Sequence, residues 1–396
     1  MAARVDTSPC RSRWAGIFPL VAAATLTATL AACGQDPAST PRTLLKSSPH
    51  AYSATPVVDG LEHPWGMAFL PDGDILVTER PGRLRVIRDG VLDPTPVAGV
   101  PEVWAERQGG LLDVALHPEF EDNRLVYLSF SKPGREGATT AVVRGRLEGN
   151  RLADVEEIFE ADAWTNRGVH FGSRLLFDRD GYLFVTIGDR GEMHEAQNLA
   201  NHQGTILRLH DDGSVPEDNP FVGQEGARPE IWAYGIRSPQ GLTIHPETGE
   251  LWESEHGPRG GDEINLILPG RNYGWPVITY GINYDGTPIT DITEKEGMEQ
   301  PLHYWVPSIA TSGIAIYDGD RFPQWKGSVF VGGLNGQHLA RVEFEGTRPV
   351  GEEKLLTELD QRIRDVRSGP DGYVYVLVDA PDAALLRLEP VETAQD

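Results

Sequence analysis

Six times between Trp65 and Asp379 the chain repeats one pattern: an apolar run, a turn built on Pro, Asp or Gly, and a second apolar run. The copies are WGMAFLPDGDILVTER (65–80), LLDVALHPEFEDNRLVYLSF (111–130), SRLLFDRDGYLFVTIGD (173–189), GLTIHPETGELWESE (241–255), SGIAIYDGDRFPQWKGSVFVGG (312–333) and IRDVRSGPDGYVYVLVD (363–379). Asp72-Gly73, Asp180-Gly181 and Asp371-Gly372 are dipeptides that tolerate positive φ and fold a chain back on itself. Their flanks carry Val, Ile, Leu, Phe and Tyr, which suit strands. Each copy therefore reads as a β-hairpin. One hairpin cannot bury both of its faces, so the copies must stack on one another. Their turns recur at intervals of roughly 45 to 75 residues, which fits four strands per copy with loops of variable length. Six copies predict an all-β fold, a six-bladed β-propeller. A pair of β-sandwiches would give no reason for six similar hairpins. Helical periodicity is almost absent, and 30 prolines with 44 glycines suit short strands joined by many turns.

The chain has 396 residues, 39% of them hydrophobic, and a formal net charge of -24. That charge argues against nucleic acid and anionic membrane surfaces as partners, because both carry the same sign. The two cysteines, Cys10 and Cys33, precede the repeats, so the repeats hold no disulfide. Arg11 and Arg13 stand before an apolar run from Trp14 to Ala32, which ends Leu30-Ala31-Ala32-Cys33. Residues 1–33 thus read as a signal peptide with a lipobox-like cleavage site. The expectation is a periplasmic protein, lipid-anchored at Cys33, that touches the membrane only through that lipid. Residues 34–55, rich in Pro, Ser and Thr, read as a flexible tether, and residues 56–396 as the propeller.

Ligands of such rings sit where loops converge at one end of the central channel, so the glycine-rich insertions are the places to look. The densest runs from Glu230 to Pro276. In it Arg237 lies between two strand-like runs among small residues, where a guanidinium binds a carboxylate or polarises a carbonyl, or pairs with an Asp of a neighbouring blade. Arg362 and Arg364, at i and i+2 of a strand start, share a face. Two such cations suggest an anionic ligand, with Glu358 and Asp360 as the plainer partners. His170, at a loop-to-strand junction, has the chemistry of a general base or of a structural histidine. The loop His256-Gly257-Pro258-Arg259-Gly260-Gly261-Asp262-Glu263 offers carbonyl and carboxylate oxygens of the kind hard cations take. There is no phosphate-binding P-loop, dinucleotide-binding glycine fingerprint or nucleophile elbow.

Taken together, EHGPRGGDEIN…NYGWP, GIRSPQGL, QGGLLDVALHP and RIRDVRSGPDG resemble the soluble quinoprotein glucose/sorbosone dehydrogenases, in particular their aldose sugar dehydrogenase branch. The resemblance runs from about Val57 to Leu388. It implies a six-bladed propeller that uses pyrroloquinoline quinone (PQQ) and calcium, oxidises aldoses at C1 to lactones, and passes electrons to a periplasmic acceptor. By this resemblance His170 is the general base and Arg237 polarises the quinone. Gln108 contacts the cofactor, and Arg362 and Arg364 hold its carboxylates. The carbonyls of Gly257 and Pro258 bind the cofactor's calcium. Glu263 and the backbone of Tyr273 bind a second calcium, with Glu299 as a further ligand. Three positions depart from the family. Ser238, beside the arginine, replaces Asn. Asn335 stands where many members carry a cofactor-contacting Lys. Val169, before the base, replaces the Asp of the glucose-specific branch and points away from strict glucose specificity. Two other readings stay open: a lipid-anchored, non-catalytic propeller that binds a glycan or a protein, and a metal-dependent lactone hydrolase.

Overall fold

The computed structural model describes residues 43–46 and 51–391. The segment read as a signal peptide lies outside the described residues. Among those described, no helix is long and apolar enough to cross a membrane.

Each of the six repeats forms the first two strands of its own antiparallel sheet. Blade 1 starts with Pro64–Phe69 and Ile75–Glu79, blade 2 with Leu111–Leu116 and Leu125–Gly134, and blade 3 with Leu175–Phe177 and Leu183–Ile187. Blade 4 starts with Pro239–Ile244 and Leu251–Glu255, blade 5 with Thr311–Ile316 and Val329–Gly333, and blade 6 with Ile363–Ser368 and Val374–Val378. The first strands touch one another in sequence order, and that of blade 6 meets that of blade 1, so they form a closed inner ring. The Asp-Gly turns behave as the sequence predicts: Gly73, Gly181 and Gly372 have φ of 94°, 84° and 82°. Apolar faces fill the spaces between blades. Trp325, fully buried, stacks on Phe322 at 4.0 Å and meets Tyr52 edge-on at 5.8 Å.

Blade 6 is completed from the other end of the chain. Strand Ala51–Leu61 pairs with Ala383–Pro390, and Thr43–Lys46 pairs with Ala51–Leu61 on its outer side. This corrects the reading of residues 34–55 as a tether: 43–46 and 51–55 are ladder residues, and the propeller begins before residue 56. Tyr52 and Ala54 are 1% and 2% exposed, and the Tyr52 hydroxyl accepts the Leu356 N–H at 2.8 Å. Local composition read as a linker because the partner strand lies more than three hundred residues away in sequence.

One regularity positions the site. The residues just before each first strand, and just after each second strand, gather at the same end of the channel. Gln108, His170, Ser238, Ala310 and Arg362 come from the former, Arg80, His256 and Leu334 from the latter.

Candidate active site

These residues line a cavity of about 240 Å³ to which all six blades contribute. Trp65, Leu112 and Phe171 form an apolar floor. Arg80, Arg107, Arg362 and Arg364 also line it, and among the described residues no carboxylate does. A basic basin thus sits in a strongly acidic protein.

His170 is built into one wall. Its backbone is left-handed, with φ 50°. The neighbouring chain passes so close that a Cβ on Gly188 would lie 2.2 Å from the His170 carbonyl oxygen, so only glycine fits there. Its N–H donates to Gln108 Oε1 at 2.7 Å. Nδ1 lies 2.6 Å from Asp189 Oδ1. Asp189 is itself buried and accepts from the Gly191 N–H at 2.7 Å and from Trp275 Nε1 at 2.8 Å. Burial pushes the Asp189 carboxyl up, but the His170 hydrogen bond and the nearby Arg237 outweigh it and hold it below the ordinary carboxylate range. An ionised Asp189 only accepts, so Nδ1 carries the hydrogen and Nε2 keeps its lone pair. Burial, then the charge of Arg237, lowers the His170 pKa against the pull of Asp189. A neutral imidazole with one free nitrogen is the protonation state a general base requires.

Arg237 is buried close enough for its charge to act on His170, but it is not among the residues that line the cavity. Its Nη1 donates to the carbonyls of His256 at 2.6 Å and Gly257 at 2.9 Å, and its Nη2 lies 3.4 Å from the Tyr284 hydroxyl. The guanidinium thus bonds carbonyls and a phenol, and the neighbouring-blade Asp allowed for in the sequence is not its partner. Ser238 lines the cavity, with its hydroxyl accepting from Gln240 Nε2 at 3.2 Å. His256 is pushed well below the ordinary imidazole range by burial and by facing Arg237, His170 and two further arginines.

Arg362 and Arg364 do share a face, and Asp379 holds them rather than Glu358 or Asp360. Its Oδ2 is 3.1 Å from Arg362 Nη2 and 3.0 Å from Arg364 Nη2, and its Oδ1 is 3.1 Å from His63 Nδ1. One carboxylate does not satisfy this group. Arg364 Nε and Arg80 Nε are buried without a hydrogen-bond partner. Burial lowers the pKa of both guanidiniums, and the charge of nearby Arg362 lowers each further. The basin is short of negative charge.

The remaining expected residues divide. Asn335 is exposed and does not line the cavity; its neighbour Leu334 does, while Asn335 Nδ2 lies 3.5 Å from the Ser308 carbonyl. The Gly257 carbonyl, expected free for a cation, accepts from Arg237. Glu263 is buried and faces Glu255 across the ladder of blade 4, with Glu253 linked to it through Asn265. Burial pushes Glu263 up to about 8 and drives Glu253 and Glu255 well above the carboxylate range. Glu253 Oε1 and Asn265 Oδ1 are buried without partners. Tyr273 turns its hydroxyl inward to the Leu266 carbonyl and the Leu268 N–H, at 2.6 and 2.8 Å, so only its carbonyl is suited to a ligand. Glu299 pairs with Arg271 at 3.5 Å. Among the described residues, no three His, Cys, Asp or Glu side chains converge as a metal site.

Sequence reasoning missed Asp189, Trp275, Arg80, Arg107 and Asp379 as site residues. A signal existed for two of them: Asp189 and Asp379 are acids placed two residues and one residue after the apolar second strands of blades 3 and 6.

Residues 61–387 match the Glucose / Sorbosone dehydrogenase family. This chain belongs to that family. The dehydrogenase is 46% identical over 352 residues to the aldose sugar dehydrogenase of Escherichia coli, covering 87% of this chain and 95% of that one. The crystal structure of the soluble Escherichia coli aldose sugar dehydrogenase in its apo form superposes with a TM-score of 0.84 at 45% identity, covering 86% of this chain and all of that one. An aldose sugar dehydrogenase from Streptomyces coelicolor, solved with PQQ bound, superposes with a TM-score of 0.71 at 28% identity, covering 87% and 99% of the two chains. The dehydrogenase is therefore a sugar oxidoreductase, and its fold is the six-bladed propeller that its repeats predicted.

Proposed function

We propose that this dehydrogenase oxidises aldoses at C1 to lactones with PQQ as its cofactor. The observation that carries this reading is the cavity: among the described residues four arginines and no carboxylate line it, beside a neutral histidine with a free Nε2. PQQ is a flat quinone with three carboxyl groups. The unpartnered Nε atoms of Arg80 and Arg364 fit such an anion, and Arg362 adds a third donor beside them. Gln108, Ser238 and Arg237 would hold its polar edge over the apolar floor. The chemistry that a quinone supplies when bound is two-electron oxidation.

The chain's own groups supply the rest. His170 Nε2 takes the proton of the C1 hydroxyl, and ionised Asp189 stabilises the imidazolium that forms. Arg237, fixed by two carbonyls, presents its remaining N–H groups towards developing negative charge. Calcium belongs to the same reading. Three buried carboxylates with raised pKa values need either protons or a hard cation, and Glu263 with the Tyr273 carbonyl supplies oxygen donors for one. The carbonyls of Gly257 and Pro258 would serve a second ion once Arg237 gives up part of its hold on Gly257. Electrons would leave to a periplasmic acceptor, with the enzyme tethered through Cys33.

A visible-absorption titration tests the proposal. Metal-free protein is mixed with PQQ and calcium, and an aldose is then added. The expected result is a bound-quinone spectrum that bleaches with sugar, and a loss of about 10²- to 10⁴-fold in turnover for His170→Ala. No bound-quinone spectrum, or unchanged turnover in His170→Ala, would overturn it.

A further inference from the structure

Ten large apolar side chains stand exposed among the described residues, and five of them fall within one stretch of blade 4: Ile282, Tyr284, Ile292, Tyr304 and Val306. The fold brings this stretch together. Tyr280 stacks flat on Tyr304 at 3.8 Å, Ile282 pairs with Arg259 through the backbone, and the Ile292 carbonyl accepts the Thr279 N–H at 3.4 Å. The patch adjoins the cavity, because Tyr284 both lines it and reaches Arg237. Around it the insertion is acidic. Between residues 280 and 298, Asp285, Asp291, Glu294 and Glu296 stand against Lys295 alone, and all five are exposed.

An apolar centre with a charged rim is the anatomy of a protein-docking surface. The chemistry narrows the partner. Aliphatic Ile282, Ile292 and Val306 suit a protein better than a sugar, which stacks on open aromatic faces, and Tyr280 already covers one face of Tyr304. A second copy of this chain would set like charges against each other, as would an anionic lipid surface. We propose that this face docks a basic electron-carrier protein of the haem or copper class, which takes the electrons of sugar oxidation one at a time. The proposal rests on the oxidation read above. Conversion of one aldose to its lactone releases two electrons and two protons; two carrier molecules take one electron each, and the protons pass to solvent. A carrier seated on the patch stands over the cavity, with Tyr284 between them.

The test uses the enzyme loaded with PQQ and calcium, a basic cytochrome c as the probe, and a small neutral dye as the alternative acceptor. In the triple variant Asp291→Lys, Glu294→Lys, Glu296→Lys, cytochrome reduction at low salt is expected to fall by about tenfold or more, with dye reduction unchanged. A control triple, Glu121→Lys, Asp122→Lys, Asp180→Lys, places the same charge change in hairpin turns at the opposite end of the channel and is expected to leave both rates near wild type. Equal losses in the two triples, or no loss in either, would overturn the proposal. So would a dimer, seen by sedimentation, that the first triple dissolves, since a second copy would then own the face. If the dye is not reduced by wild type, the oxidation reading fails instead. Binding of the cytochrome by calorimetry, retained in the control triple and lost in the first, still reports on the surface alone.

Discussion

His170 gains its chemistry from neighbours more than from its own identity. Its backbone is pinned in a left-handed conformation, its N–H is tied to Gln108, and its Nδ1 is tied to Asp189. Two outcomes follow at this scale. Asp189→Asn should lower kcat by about 10²- to 10⁴-fold with little effect on folding, because an amide can present either end to Nδ1 and no longer stabilises an imidazolium. Steady-state kinetics on the reconstituted variant checks this. The pH profile of kcat/KM should rise with pH as His170 loses its proton. Since burial and Arg237 hold its pKa below the ordinary imidazole value of 6.5, that rise should be centred below pH 6.5. A rise centred above pH 7 would mean that Asp189 outweighs burial. Of the residues singled out in the sequence through motifs that resemble those of one family, His170, Gln108, Arg362 and Arg364 come together around one cavity, with Arg237 buried beside it. Asp189 and Asp379 were not singled out, since an acid after a strand becomes meaningful only when the histidine or arginine it faces is known.

At the scale of single elements, the ladder Leu251–Glu255 with Asp262–Ile267 is the least usual. It buries Glu253, Glu255 and Glu263 with Asn265 between them and pairs none of them with a cation among the described residues. Burying carboxylates in this way is unfavourable unless they are protonated or bound to metal. Calcium is therefore expected to raise the melting temperature, by about 2.7 kcal/mol of added stability at a hundredfold excess over Kd. Glu263→Gln should abolish that shift while leaving the metal-free protein folded, which a thermal melt with and without chelator would show. The family resemblance singled out Glu263 but left Glu253 and Glu255 unremarked as acids within an apolar run. Their proximity comes from strand register, which pairs Glu255 with Glu263 and Glu253 with Asn265. The turns were more legible. Asp-Gly pairs carry their conformation locally, and the three cited all adopt it.

The ring as a whole depends on closure. Its first strands meet around the axis, where Arg174 Nη1 lies 3.1 Å from both Asp113 and Asp365, so one guanidinium joins blades 2, 3 and 6. Strand Ala51–Leu61 then locks the last sheet to the chain's beginning. A chain that starts at Pro56 loses Tyr52, which packs on Trp325 and receives the Leu356 N–H. Removal of one such buried aromatic costs about 3–5 kcal/mol. That shortened chain should melt at a clearly lower temperature than one that starts at His50, by calorimetry; equal melting points would show that the closing strand adds nothing. The same closure explains the division of information. Six hairpins, their turns and their apolar faces are local patterns, so the sequence by itself determined the blade count, the all-β class and the family motifs. Which strand completes blade 6, which carboxylate holds each site cation, and which apolar residues stay uncovered were decided by the tertiary structure. Each depends on contacts between residues tens to hundreds of positions apart, and no local composition records which distant partner a strand or a charge will meet.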